Sequence, residues 1–361
     1  MIAASPFPRQ PDAPDDTPPD ADAASAAGAS ATSWQAEFAA AVTDPAELAA
    51  LLDLPPEWVA PARAAAGLFP LRVPRSFIAR MRRGDPADPL LRQVLPVGEE
   101  LADAPGRSSD PLEEAAARRA AGLLHKYHGR ALLVATGACA MHCRYCFRRG
   151  FPYDKQQGEA GRWQDALTAL AADPSIEELI LSGGDPLSLG NARLQWLSQA
   201  LAGIPHLRAL RLHTRNAVVL PSRVDAGLID WLRGLPWRVT VVLHVNHPQE
   251  LEGDAVEAIA RLRSTGVLLL NQSVLLRGVN DDAATLAALS KRLHAHGVLP
   301  YYLHLTDAVT GTAHFDVDDA RGRQLVDALA RGLPGYLVPR LVREVPGASA
   351  KVVLASGIDK D

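Results

Sequence analysis

From Gly129 onward the chain alternates short apolar runs with longer stretches of helical period. The runs ALLVAT (131–136), IEELILSG (176–183), ALRLHT (209–214), RVTVVLHV (238–245), VLLLNQSVLL (267–276) and PYYLHLT (300–306) have strand length and predict six strands. Between them WQDALTALAA, ARLQWLSQALAGI, DAVEAIARLRSTG and DDAATLAALSKRLHAHG carry leucine and alanine at helical spacing and predict helices. Strands that do not alternate apolar with polar, each followed by a helix, predict a parallel sheet covered by helices. Pattern alone leaves a doubly wound sheet and a barrel both open. Polar residues collect where the runs end, at Ser182–Asp185, His213–Arg215, His244–His247, Gln272 and Asp307. Both folds hold their ligands at that edge.

Before this array the rhythm differs. From Trp34 to about Asp103 the pattern is helical and punctuated by proline: DPAELAALLDL has an Asp-Pro start, and PRSFIARMRRG predicts an amphipathic helix ending at Gly84. GDPADPLLRQVLP reads as an extended segment, and DPLEEAAARRAAGLLHKY predicts a further strong helix from its alanines and paired charges. The first 33 residues, rich in Pro, Ala, Asp and Ser, lack the apolar content to offset the entropy of ordering, which predicts a disordered tail. The expected organisation is a tail (1–33), a helical region (34–110), an α/β unit (111–351) and a C-terminal tail (352–361).

Composition narrows the partners. A formal net charge of −4 gives no general attraction to nucleic acid or anionic membrane. No segment approaches the roughly 20 apolar residues of a membrane span. The first 33 residues carry five acidic side chains and one arginine with no continuous apolar run, unlike a mitochondrial or secretory leader. A cytoplasmic protein without nucleic-acid or membrane partners is expected.

All three cysteines fall within eight residues, Cys139, Cys143 and Cys146. An odd number cannot pair into disulfides, and clustered thiols in a chain this long point to metal or catalysis. Thiolates suit zinc and iron–sulfur clusters. A zinc knuckle would need a fourth ligand, which His142 could supply. CxxxCxxC after the first strand of a βα array resembles the radical S-adenosylmethionine superfamily signature, in which three cysteines hold a [4Fe–4S] cluster and leave one iron open for S-adenosylmethionine. That resemblance implies a partial (β/α)6-type TIM barrel with an N-terminal helical extension. It also implies that Tyr145 lies near the adenine, and that Ser182, Gly183, Gly184 and Asp185 of LSGGDPL receive the methionine amino group. His213–Arg215 stands at the end of the following strand.

A longer resemblance runs from about Phe69 to Lys351. It includes DPADPLLRQVLP, KYHGRALLVATGACAMHCRYCFRR, HTRNAVVLPSR, NQSVLLRGVND, DAVTGTAHF and VPGASAK, and is to the lysine 2,3-aminomutases. These enzymes combine the cluster, S-adenosylmethionine and pyridoxal 5′-phosphate. The resemblance implies that Lys351 forms the pyridoxal Schiff base, with Tyr127 and Arg130 holding that cofactor. It gives Arg148 the substrate carboxylate, Asp307 and Glu344 the side-chain ammonium, and His244 and Gln272 contacts to S-adenosylmethionine. Two positions depart from the free-lysine enzymes: Glu344 replaces an aspartate, and His304 stands where a tyrosine lies near pyridoxal phosphate.

Glu344, the end of the sequence ten residues after Lys351, and YYLHLTDAVTGTAHF resemble the bacterial branch that makes (R)-β-lysine for modifying elongation factor P. L-lysine, a reductant such as flavodoxin or ferredoxin, and an elongation factor P lysine ligase are the implied partners. The alternatives are a metabolic mutase unrelated to that factor, one acting on lysine already attached to a protein, and a non-catalytic zinc-knuckle protein. The implied chemistry moves the amino group of L-lysine from C2 to C3 by a radical route, with the N-terminal helices closing the barrel mouth.

Overall fold

The computed structural model describes residues 33–151 and 162–354. The expected tail, except Ser33, lies outside them.

A single ten-stranded sheet, whose strands neighbour one another in chain order, organises the molecule. β1 (Arg118–Ala120) and β2 (Leu123–Tyr127) are antiparallel and lead into β3 (Arg130–Thr136). β4 (Glu178–Gly183), β5 (Ala209–Thr214), β6 (Arg238–Leu243), β7 (Leu268–Val274), β8 (Leu299–His304) and β9 (Arg340–Arg343) then add in parallel. β10 (Val352–Val353) closes the series antiparallel to β9. Strand order that never reverses separates this sheet from a doubly wound one, which changes direction at a switch point. The fold is the expected partial barrel. β3 to β8 are the six strands of the apolar pattern; β9 had no reading as a strand. β10 occupies two residues of the expected C-terminal tail, and 355–361 lie outside the described residues.

Four helices stand in the N-terminal region: α1 (Trp34–Ala39), α2 (Pro45–Leu51), α3 (Val59–Ala66) and α4 (Arg75–Ile78). α5 (Arg162–Ala172), α6 (Asn191–Ala202), the short α7 (Asn216–Val219), α8 (Ala226–Arg233), α9 (Asp254–Arg263), α10 (Ala283–Ala295) and α11 (Asp319–Gly332) follow strands. Aspartates start many of them: Asp44, Asp225, Asp282 and Asp318 each accept from a backbone N–H of the first turn. The main core lies between the strands and this outer layer, joining Leu133, Leu181, Leu212 and Val241 to Leu167, Leu197, Leu228 and Ile259. A second core holds the N-terminal region to the barrel, with Phe77, Leu90 and Val94 packed together with Met141 and Leu220.

Three sequence expectations fail in this region. GDPADPLLRQVLP, expected as an extended segment, forms turns and a 3-10 helix at Leu91–Gln93, because the Asp88 carboxylate accepts from the N–H groups of Leu90 (2.8 Å) and Leu91 (2.9 Å) and winds the chain. The amphipathic helix expected to reach Gly84 ends at Ile78, and turns carry the chain on. DPLEEAAARRAAGLLHKY, expected as a helix, forms turns followed by β1 and β2. Leu123 and Leu124 are buried opposite Leu133 and Leu132 of β3, and Gly122 takes φ +71° to turn the chain into that pairing. Tertiary burial of two leucines overrides the alanine-rich helical preference. Among the described residues no helix is long and apolar enough to cross a membrane.

Candidate active site

The cysteine loop leaves the C-terminal end of β3 and is held on both sides. On the barrel side, the ladder with β4 continues into the loop: Gly184 N–H donates to Thr136 O (2.7 Å) and Asp185 N–H to Ala138 O (2.9 Å). A Cβ on Gly183 would overlap Thr136 O, and one on Gly184 would overlap Ala138 O. Gly183 also takes φ +124°. The two glycines therefore admit the cysteine loop itself to close backbone approach.

Asp185 is held by the fold itself. Its carboxylate accepts from Leu187 N–H (2.9 Å), Thr214 Oγ1 (2.8 Å), Arg215 N–H (2.6 Å) and Asn216 N–H (2.9 Å). It pins the start of α7 against the end of β4, so within this structure it binds the fold.

On the outer side, His142 N–H donates to Arg72 O and Arg144 N–H to Gln93 O, each at 2.9 Å. Arg144 is fully buried and grips Glu100 with two bonds, Nε to Oε1 at 2.8 Å and Nη2 to Oε2 at 2.5 Å. Arg149 joins the same carboxylate at 2.7 Å. His142, the candidate fourth zinc ligand, bonds through Nδ1 to Pro70 O (2.9 Å) and stacks on Phe69. Among the described residues no three His, Cys, Asp or Glu side chains converge as a single-ion site.

The strand ends surround a cavity of about 550 Å³. Its walls include the three cysteines, Tyr127, Arg130, Tyr145, Arg148, Ser182–Asp185, His244, Gln272, Asp307, Glu344 and Lys351, whereas Asn246 and His247, noted at the end of the fourth apolar run, do not line it. An unbroken chain of opposite charges crosses it. Arg148 clasps Glu114 with Nε and Nη2, both at 2.8 Å; Lys126 Nζ lies 3.4 Å from Glu114 and 3.6 Å from Glu344; and Glu344 pairs with Lys351. Tyr127 donates its hydroxyl to Glu344 (3.1 Å), and Lys351 Nζ lies 5.9 Å from the centre of the Tyr302 ring. Arg148 Nη1 further reaches Ser182 Oγ and Gly183 O at 3.3 Å.

The two candidate ammonium acceptors ionise differently. Burial and the charge of Glu344 push the Asp307 carboxyl up to about 7. Burial also works against ionised Glu344, but Lys351 and Lys126 outweigh it and bring this carboxyl down to about 2. Burial, then the neighbouring Lys351 charge, lowers His304 to about 3. His304 and His213 each bury an Nε2 without a protein partner, and both rings line the cavity. Burial and mutual repulsion raise the thiols of Cys139 and Cys146, the latter to about 11. Three half-buried thiols on one loop, two of them raised, are suited to a cationic metal centre, which stabilises thiolate.

Sequence reasoning missed much of what holds these residues. Arg215 received attention only as a strand-end residue, yet its Nη1 lies 2.9 Å from Cys143 Sγ and also donates to the Tyr145 hydroxyl. Gln93, Asn246 and Glu250 complete that network, and Glu114 and Lys126 form the middle of the charge chain.

Comparisons with known proteins agree with this geometry. A family model described as a 4Fe-4S single cluster domain matches residues 128–203, spanning the cysteine loop and LSGGDPL. Among solved structures, this chain is similar to a radical SAM methyltransferase from Sphaerobacter thermophilus, with TM-score 0.44 and 18% identity over 61% of this chain and 68% of that one. Another is Streptococcus suis SuiB bound to S-adenosylmethionine, with TM-score 0.45 and 13% identity over 61% of this chain and 51% of that one. L-lysine 2,3-aminomutase of Escherichia coli (strain K12) is 50% identical over 89% of this chain and 94% of its own length. The Haemophilus influenzae protein of that name is 45% identical over 89% and 95%, and the Clostridium subterminale one 34% identical over 76% and 66%.

The three-cysteine loop on a partial parallel barrel marks a radical S-adenosylmethionine enzyme. Within that class the chain belongs to the L-lysine 2,3-aminomutase family, and it is an isomerase.

Proposed function

We propose that this enzyme converts L-α-lysine to (R)-β-lysine with a [4Fe–4S] cluster, S-adenosylmethionine and pyridoxal 5′-phosphate, and that the product modifies elongation factor P. One observation carries the proposal: the three thiols and Lys351 line one cavity, bridged by Arg148, Glu114, Lys126 and Glu344.

The residues present fit all three groups. The raised, clustered thiols suit iron. Lys351 offers the amine, and Arg130 and Arg340, neither with a carboxylate partner among the described residues, suit a phosphate dianion at the same cavity. Tyr145 and His244, with ring centres 5.7 Å apart and planes tilted by 48°, and Gln272 offer a ring-lined, polar wall for a nucleoside. When bound, the cluster would supply the electron that cleaves S-adenosylmethionine to a 5′-deoxyadenosyl radical, and pyridoxal phosphate would supply an aldehyde carbon whose double bond to the substrate's own amino nitrogen gives that nitrogen a radical route from C2 to C3.

The chain's own work is recognition and alignment. Arg148 presents a carboxylate-binding fork already filled by Glu114, so a substrate carboxylate must share or displace that partner. Asp307 and Glu344 surround an ammonium: Glu344 is ionised beforehand, while Asp307 gives up its proton when the cation arrives. Engaging Lys351 elsewhere frees Glu344 for that second ammonium. Two acids reject glutamate and apolar side chains, because a carboxylate or methyl group would leave them buried without a cation. Holding C3 of the substrate within roughly 3–3.5 Å of the radical carbon is the geometric requirement.

The test is an anaerobic assay of the reconstituted enzyme with labelled L-lysine, reductant and S-adenosylmethionine, resolving the product isomers by chiral chromatography. (R)-β-lysine formed only with all components supports the mutase reading; stoichiometric zinc with no iron uptake and no β-lysine refutes it. Adding elongation factor P and a β-lysine ligase should increase the mass of that factor by one lysyl unit. Product that the ligase refuses would leave the mutase standing and remove the modification role.

A further inference from the structure

The geometry points to Arg215 as a positioning residue for the iron–sulfur cluster: its guanidinium donates to the sulfur of Cys143 and sets the potential at which the cluster takes up its electron. This rests on the cluster reading above.

Arg215 follows β5, two strands away from the cysteine loop, and reaches back across the cavity. Nη1 lies 2.9 Å from Cys143 Sγ and donates to the Tyr145 hydroxyl as well. Nη2 donates to Gln93 Oε1 (2.7 Å) and Glu250 Oε2 (3.1 Å), and the backbone N–H is fixed on Asp185 (2.6 Å). Its acceptors are themselves held, since Asn246 Nδ2 donates to Gln93 Oε1 (3.0 Å) and to the Tyr145 hydroxyl (2.7 Å). The side chain is only 8% exposed, so the fork has neither room nor solvent to swing away. A guanidinium keeps its charge in proteins through its own basicity, and Glu250 provides the counter-charge.

A guanidinium at this sulfur differs from an ordinary loop clamp. Arg144 holds the same loop through the Glu100 carboxylate and the Phe69 carbonyl. Reduction adds one electron to the iron centre and breaks no bond; the electron comes from a low-potential one-electron donor. The extra negative charge spreads onto the sulfurs, where a buried cation and its N–H stabilise the reduced state more than the oxidised one. Arg215 therefore raises the potential, with Glu250 moderating the effect from its other side.

Arg215→Met removes charge and donor at similar length, and Arg215→Lys keeps the charge. Both are reconstituted anaerobically, iron and sulfide are counted, and the cluster is titrated without S-adenosylmethionine or lysine. Arg215→Met should keep its iron yet show at least tenfold less reduced cluster at a fixed potential, equal to 59 mV for a one-electron couple. Arg215→Lys should recover more than half of that loss. Equal potentials in all three iron-loaded proteins would overturn the assignment.

Should Arg215→Met fail to fold or load, the wild type decides. With 15N-arginine incorporated, the reduced cluster should show a 15N hyperfine coupling by pulsed electron paramagnetic resonance that is lost in Arg215→Lys. No coupling in the wild type would overturn the assignment. A wild type that takes up no iron at all would instead refute the cluster reading beneath it.

Discussion

Asp307 and Glu344 show how two carboxyls on one cavity acquire opposite protonation. With Asp307 raised to about 7 by burial and its neighbour's charge, the free enzyme holds it largely neutral in weak acid. Binding an ammonium must then release a proton. Lysine affinity should rise roughly tenfold per pH unit below 7 and level off above it. Asp307→Asn should flatten that slope, and a KM–pH profile retaining it would place the titrating group elsewhere.

The stability signs follow from the same shifts. Asp307, raised, contributes stability that is intact below its unfolded value near 4 and is lost as pH climbs through about 7. Glu344, lowered to about 2, contributes stability that is present above its unfolded value and disappears as pH falls toward 2. Glu344→Gln should weaken lysine use while leaving iron content unchanged. Because Glu344 also neutralises Lys351 and Lys126, the variant should lose thermal stability near neutral pH, measured without substrate. Unchanged lysine kinetics would remove Glu344 from the pocket.

At the scale of elements, the cysteine loop is a segment whose shape is imposed from outside. Glu100 is fully buried and faces two arginines of that loop, Arg144 and Arg149. Breaking a buried pair by removing one partner's charge costs about 3–5 kcal/mol, because the remaining cations stay desolvated. Glu100→Gln should lower the urea unfolding free energy by about that amount and slow iron uptake. A loss under about 1 kcal/mol would mean the loop is held by its backbone bonds alone.

None of this clamp was readable in the sequence. Cys139, Cys143 and Cys146 stand out because their spacing is local, and β3 to β8 because each is a short apolar run set off by a helical stretch. Glu100 and Arg144 lie 44 residues apart, and Glu114 and Arg148 lie 34 apart, so no local period marks either pair. The misread stretch before β3 has the same cause. Its alanines and charges favour a helix, but Leu123 and Leu124 find a buried strand partner and Glu114 a buried arginine, and these distant contacts decide. The four residues of β9 were invisible because so short a run carries no distinguishing period.

At the scale of the whole molecule, the N-terminal region is both a wall of the site and a brace for the barrel. Arg80 donates to Val218 O (2.6 Å) and Glu250 O (2.5 Å), while Gln93 enters the Arg215 network. Phe69 is the region's direct contribution to the cavity wall. Its ring stacks on His142 with centres 5.2 Å apart and lies under Arg144 at 4.9 Å and Arg149 at 5.0 Å. A radical held here survives only while solvent stays out. Phe69→Ala opens a side-chain-sized gap beside the cysteine loop without removing a charged group, an ion pair or a ligand. The variant should bind iron as the wild type does, yet release more 5′-deoxyadenosine per β-lysine formed, as buffer or thiol molecules entering the gap donate hydrogen to radicals that the substrate would have returned. Counting both products in one anaerobic reaction gives the ratio directly. An unchanged ratio with the gap present would show that closure comes from the barrel strands, and that the N-terminal region serves the site only by gripping its loop.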